Sequence, residues 1–124
     1  MIDLIKYRID KSKQTFEDAI YNYDGQKYST CLNRLYYSAY YAVTALLLSK
    51  NLSAKTHKGV RQLFNQYFIK EELISEEESI LFTQLFDLRQ ESDYEDFSEI
   101  DYSIIPELIQ KTKSFISTIN GLII

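Results

Sequence analysis

The sequence predicts an all-α protein: an antiparallel up-and-down four-helix bundle with one additional short helix. Three observations carry that expectation. Three glycines and one proline in 124 residues leave the chain without the punctuation that β-hairpins and long loops need. Apolar residues recur at three- and four-residue spacing over long stretches, the period of an amphipathic helix, and no stretch shows the two-residue alternation of a strand. The hydrophobic fraction of 45% against 26% charged is ordinary for a globular fold with one core. Residues 1–124 are expected to form a single domain.

The first helix is expected from about Asp3 to Tyr23, with Ile2, Ile5, Ile9, Phe16, Ala19, Ile20 and Tyr23 on its inner face. Gly25 can take the left-handed conformation that a helix stop favours. The second helix, about Lys27 to Lys50, carries Leu32, Leu35, Tyr36, Ala39, Tyr40, Val43, Leu46 and Leu47. A helix apolar over most of its circumference is a central one. Asn33, Arg34, Tyr37 and Tyr41 share its polar edge, and Asn51 to Ala54 close it.

Thr56 is expected to cap a shorter third helix through its hydroxyl, with Val60, Leu63, Phe64, Tyr67 and Phe68 facing inward. Ser75 followed by Glu76, Glu77 and Glu78 marks the start of the fourth, with Ser75 as cap and Glu78 completing a capping box. That helix turns Leu81, Leu85 and Leu88 inward and runs to about Ser92. An acidic connection from Asp93 to Asp101 follows. Ser103 is expected to cap the last helix, with Pro106 in its first turn and Ile105, Leu108, Ile109, Phe115, Ile116, Ile119, Leu122 and Ile123 along its inner face.

Charge and cysteine usage narrow the function. A net charge of −4 and a pI near 5.0, with no Lys/Arg cluster along the chain, disfavour the broad basic face of a duplex-binding domain. A local contact to one phosphate or nucleotide stays open. The lone Cys31 cannot form an internal disulfide and reads as a small buried thiol. The first residues lack the apolar core of a signal peptide, and the near-apolar run Ala39–Leu48 is too short to span a bilayer. The expected compartment is the cytoplasm, with no membrane contact.

Three motifs then occur in order. Asn33 to Ala42, reading NRLYYSAYYA, resembles an "RxYYAxf" signature; Lys55 to Val60, KTHKGV, resembles a "KTHxGV" turn; Arg89 to Tyr94, RQESDY, resembles an "RxxADY" helix end. Together they resemble the HEPN superfamily (higher eukaryote and prokaryote nucleotide-binding), and the resemblance covers nearly the whole chain. It implies a homodimer that acts with a minimal nucleotidyltransferase as a toxin–antitoxin pair. Many members are metal-independent ribonucleases. In those an arginine fork holds the phosphate while a histidine, four to six residues on, exchanges protons with the ribose 2′-hydroxyl. Here that histidine position falls on Tyr94, followed by Asp96, Phe97 and Ser98, and the single histidine, His57, belongs to another motif. A phenol ionises near pH ~10 and exchanges protons poorly at neutrality.

The expectation is therefore a dimeric interaction and nucleotide-binding module, partner of a minimal nucleotidyltransferase and not self-sufficient as an enzyme. The alternative is a metal-independent ribonuclease using Arg89 with a non-standard partner such as Asp93, Tyr94 or a displaced His57. Arg89, Asp93 and Tyr94 are the catalytic candidates. Arg89, Arg34, Tyr37 and His57 are the candidates for a nucleotide-, phosphate- or RNA-binding groove at a dimer seam. Two readings of Arg89 and Asp93 are open: a structural pair four residues apart on one helix face, or that groove. No cofactor is implied, and His57 has no second histidine or cysteine near it at metal-ligand spacing.

Overall fold

The computed structural model describes residues 2–94 and 99–123, and among these there are five α-helices and no strand. They are α1 (Ile2–Asp24), α2 (Tyr28–Ser49), α3 (His57–Phe64), α4 (Glu76–Ser92) and α5 (Ile105–Ile123). A π-helical turn, Asn65–Ile69, extends α3, and a 3₁₀ turn, Tyr102–Ile104, leads into α5. The architecture is an all-α bundle, as the apolar periodicity predicts. No helix among the described residues is long and apolar enough to cross a membrane.

Helix α2 is the central one and packs against α1, α3, α4 and α5. Thirteen of its residues are buried, from Cys31 to Leu48. Burial pushes the Cys31 thiol up to about 11, so it stays protonated and serves as a core side chain. Helices α2 and α4 run antiparallel: Ser29 Oγ donates to the Ser92 carbonyl at 3.2 Å, and further along α2 Tyr36 stacks on Phe82 from the middle of α4.

The expected α1 stripe holds over its second half, where Ala19 is buried and Phe16, Ile20 and Tyr23 pack against the core, and differs over its first. Its buried residues are Ser12, Thr15 and Ala19, whereas Ile2 is exposed and Ile5 and Ile9 are only half-buried. Small side chains let the two backbones approach, and Ser12 Oγ donates to the Ser38 carbonyl across the seam at 2.6 Å. Ile2, Ile5 and Ile9 lie to the side of it, near the end of α5 at Ile123.

Helix ends also correct the sequence reading in part. The left-handed residue closing α1 is Gln26 (φ 61°), not Gly25. Lys27 N–H reaches the Asn22 carbonyl and Gln26 N–H that of Tyr23, a closure in which the left-handed position falls one residue after the glycine. Asn51 (φ 61°) closes α2 in the same way, with Leu52 N–H bonded to the Leu47 carbonyl at 2.8 Å. Ser75 stands at the N-cap of α4 without a side-chain cap bond. Its carbonyl accepts from Glu78 N–H instead, so the expected capping box does not form. Before α5 the capping side chain is Asp101, and not Ser103: it caps the 3₁₀ turn that leads into the helix, accepting from Ser103 N–H at 3.0 Å. The Ser103 side chain first, and its backbone N–H second, hold the Asp101 carboxyl below its ordinary value by hydrogen bonding. Tyr67 is exposed because the π-helical turn changes the helix phase, while Val60, Phe64 and Phe68 stay inward.

Candidate functional site

Local structure fixes His57 first. Thr56 Oγ1 accepts from Gly59 N–H at 2.9 Å and caps α3, as expected. A Cβ at Gly59 would lie 3.0 Å from both Ala54 Cβ and Thr56 Oγ1, so any side chain at that point of the Lys55–Val60 turn would crowd the capping hydroxyl. The turn delivers His57 at the first position of α3, half-buried against α2.

There His57 Nδ1 and the Tyr36 hydroxyl form a hydrogen bond of 2.7 Å. The imidazole lies 4.7 Å from the Tyr40 ring, 5.9 Å from Tyr37 and 6.0 Å from Phe86, centroid to centroid. Burial, and then the Arg89 charge, hold His57 below the ordinary imidazole range, so the ring is neutral at neutral pH. Tyr36 is buried and its hydroxyl is pushed far up, first by burial and then by Tyr40 and Tyr37, against the opposing charges of Arg89 and Arg61. It remains a phenol, able to donate or accept.

Arginines surround these rings. The Arg89 guanidinium lies 5.3 Å from the Tyr37 centroid and 5.9 Å from that of Tyr36. Arg34 lies 5.4 Å from Tyr37, and Arg61 sits 5.0 Å from Phe86. Arg8, from α1, opposes the upward shift that burial imposes on Tyr40. These are all four arginines of the chain, one from each of α1 to α4. Arg34 holds Asn33 Oδ1 through Nε and Nη2 at 3.0 and 2.7 Å.

Among the described residues, the one carboxylate within ion-pair distance of any of the four is Asp93, 3.8 Å from Arg89 Nε. That is too long for a hydrogen bond, and Arg89 Nε is buried without a hydrogen-bond partner. Guanidinium groups on aromatic faces with little carboxylate compensation can attract an anion, and flat rings can stack a base.

Of the residues picked from the sequence, Arg34, Tyr37, His57 and Arg89 come together, with Tyr37 at the centre. Asp93 stands at the rim, half-exposed. Tyr94 is 69% exposed and has no ring contact with the cluster among the described residues. Asp96, Phe97 and Ser98 lie outside the described residues. Sequence reasoning placed Tyr36 and Tyr40 in the core and passed over Arg8, Arg61 and Phe86. The available signals were the four-residue spacing of His57 with Arg61 and the face shared by Phe82, Phe86 and Arg89.

A cleft of about 510 Å³ opens between α4 and α5, lined by Glu77, Glu78, Leu81, Gln84, Gln110 and Lys111. Burial, and then the Glu77 charge, raise the Glu78 carboxyl, and two carboxyl groups make that cleft a poor place for a phosphate. No group of three or more His, Cys, Asp or Glu side chains is placed to hold a metal among the described residues.

The fold is a small all-α helical bundle that carries a half-buried arginine–tyrosine–histidine patch. The sequence matches the HEPN domain over residues 5–122, and the chain belongs to that family. It is 30% identical over 120 residues to a UPF0332 protein of Thermotoga maritima, covering 97% of this chain and 91% of the relative. It is 31% identical over 109 residues to a Methanocaldococcus jannaschii protein named "Putative toxin", covering 88% and 74%. A UPF0332 protein of Archaeoglobus fulgidus is 28% identical over 116 residues, covering 93% and 91%.

Proposed function

We propose that the chain, as one HEPN domain, is a cytoplasmic homodimeric interaction and nucleotide-binding module that pairs with a minimal nucleotidyltransferase in a toxin–antitoxin-like system. The observation that carries this reading is the gathering of Arg34, Arg61 and Arg89 over Tyr36, Tyr37 and Phe86 in a chain of net charge −4. Phosphate suits the guanidinium forks and a nucleobase suits the rings. The name of the Methanocaldococcus jannaschii relative supports the toxin–antitoxin setting. Exposed Ile2, Tyr7, Tyr21, Ile80 and Tyr94 offer apolar area to a second subunit or partner.

Light scattering is expected to give a dimer, and calorimetry with ATP a heat of binding that Arg89→Ala abolishes. Co-expression with a nucleotidyltransferase encoded beside it is expected to yield a stable complex. A monomer that ignores both the nucleotide and that protein would end this reading.

A second reading, a metal-independent ribonuclease, is favoured by one observation. His57, absent from the Arg89 motif in sequence, is coupled to Arg89 through the shared faces of Tyr36 and Tyr37. RNA cleavage in EDTA that disappears in Arg89→Ala is the expected result, and intact RNA after incubation with the wild-type protein rejects it.

A further inference from the structure

A histidine set among guanidinium groups adds something they lack, because its charge depends on pH near neutrality and theirs does not. His57 stands in that position. Its imidazole lies 5.6 Å from the Tyr36 ring and 5.9 Å from the Tyr37 ring. The Arg89 guanidinium lies against the same two rings, at 5.9 and 5.3 Å. The titratable and charged groups around the imidazole are Tyr36, Tyr37 and Tyr40 from α2, Arg89 from α4, and Arg61 of α3 itself, which lies over the neighbouring Phe86. Arg8 of α1 acts on Tyr40, and Arg34 covers Tyr37. The carboxylate that reaches this group is Asp93, half-exposed at the rim and 3.8 Å from Arg89 Nε.

We infer that His57 makes the patch a proton-linked anion site: when the imidazole takes up a proton, the patch gains a cation and binds a tetrahedral oxyanion more tightly. The inference rests on the anion-binding reading of the arginine cluster and adds its regulation. Two contacts support it. Arg89 Nε is buried with no hydrogen-bond partner, so the guanidinium is left short of an acceptor. The 2.7 Å bond between His57 Nδ1 and the Tyr36 hydroxyl serves both charge states. The phenol oxygen can accept from Nδ1–H of the neutral ring or of the imidazolium. Proton uptake at Nε2 therefore changes the charge and keeps the contact that fixes the ring. Without an anion, burial and the Arg89 charge keep the ring neutral at neutral pH. A bound oxyanion offsets that charge and favours the imidazolium, so anion and proton each promote binding of the other. Nε2 gains one proton from solvent, and no other bond changes.

The test uses the whole 124-residue chain and inorganic sulfate, with chloride at matched ionic strength as the reference. Sulfate keeps its double charge across the range of about pH 8 to 5 in which histidine titrates. NMR reads sulfate affinity from the Tyr37 ring and the titration midpoint from His57. Affinity is expected to rise about 5-fold as the pH falls through that midpoint. Saturating sulfate is expected to raise the midpoint by the same factor, about 0.7 pH unit. His57→Gln is expected to keep the wild-type high-pH affinity at every pH in the range. Arg89→Ala is expected to lose both the affinity and the sulfate-induced shift. Asp93→Asn is expected to bind more tightly throughout and retain the pH dependence.

Wild-type affinity that does not change with pH, or a His57→Gln pH dependence equal to that of wild type, overturns the linkage and leaves the anion reading intact. A sulfate-induced midpoint shift of undiminished size in Arg89→Ala also overturns it, because general screening would then be acting. Sulfate that perturbs no resonance of the patch overturns both. Where His57→Gln unfolds, the midpoint shifts of wild type and Arg89→Ala decide.

Discussion

Phe82 stacks on two different neighbourhoods, 5.8 Å from Phe115 on one side and 5.8 Å from Tyr36 on the other. Beyond Phe115 the rings are all hydrocarbon: Phe64 lies 5.9 Å from Phe115, and Phe68 6.2 Å from Phe64. Beyond Tyr36 they carry polar tips, and guanidinium groups cover their faces. The ring geometry is the same on both sides, within the range that aromatic pairs prefer. Solvent and charge make the difference. Phe64 and Phe115 are sealed inside the bundle, whereas Tyr37, Tyr40, His57 and Phe86 are only half-buried. One continuous aromatic column thus holds the fold at one end and offers a chemical surface at the other.

The largest effect is expected in the dry half. Phe115→Ala removes a ring with no exposure and should destabilise the protein by about 3–5 kcal/mol, read by urea denaturation. The loss comes from hydrocarbon transfer plus the cavity left among Phe64 and Phe82. A loss as small as that of a surface substitution would mean the bundle collapses into the gap, and the two halves would no longer differ in rigidity. Second in size is Thr56→Ala at the edge of the wet half. The lost cap costs about 1 kcal/mol, and the same change loosens the start of α3 where His57 is anchored. Ligand binding at the Arg89 patch should therefore weaken alongside stability, a joint loss that Phe115→Ala in its folded fraction should not show.

The dry half was legible in the sequence and the wet half largely was not. Apolar spacing alone orders Val60, Phe64, Leu81, Leu85, Leu108, Phe115 and Ile119 toward a common core, because a helix converts sequence period directly into a face. Half of the α1 seam escaped that logic. Ile2, Ile5 and Ile9 read as core, yet the buried residues beside them are the small Ser12 and Thr15, a choice set by the partner surface. The cation cluster was legible in half: Arg34 and Arg89 were named with Tyr37 and His57, whereas Arg8 and Arg61 are too far apart along the chain to look like part of a basic patch and join it only because their helices pack beside Tyr40 and Phe86. His57 was named beside Arg89 only through the family motifs, because the spacing along one helix does not show that the bundle supplies the histidine from another. Asp101 capping in place of Ser103 is a smaller case, decided by the 3₁₀ turn before α5.

A smaller stability effect separates the halves from the other direction. Arg61 covers Phe86 with its guanidinium 5.0 Å above the ring, an arrangement worth about 0.5–1 kcal/mol at an accessible site. Arg61→Ala should therefore lower stability by at most that amount in urea denaturation while reducing nucleotide affinity by a larger factor. Equal and large losses in both would recast Arg61 as a core residue and move the boundary between the halves outward.

The finest discrimination is electrostatic and can be read at one resonance, because the chain has a single histidine. Burial first and the Arg89 charge second hold the His57 ring below its ordinary value. Arg89→Ala removes the second cause and keeps the first. The NMR titration midpoint should move up toward the ordinary value of about 6.5 without reaching it. A histidine whose folded value is depressed binds fewer protons in the folded than in the unfolded state as the pH falls below the ordinary value. The stability it contributes is therefore complete above that value and is lost on acidification toward the folded one. In Arg89→Ala this acid-sensitive window should narrow, since its lower edge rises. A midpoint that does not move when Arg89 is removed would place the guanidinium out of electrical reach of the ring. The wet half would then be two separate patches that happen to share the faces of Tyr36 and Tyr37.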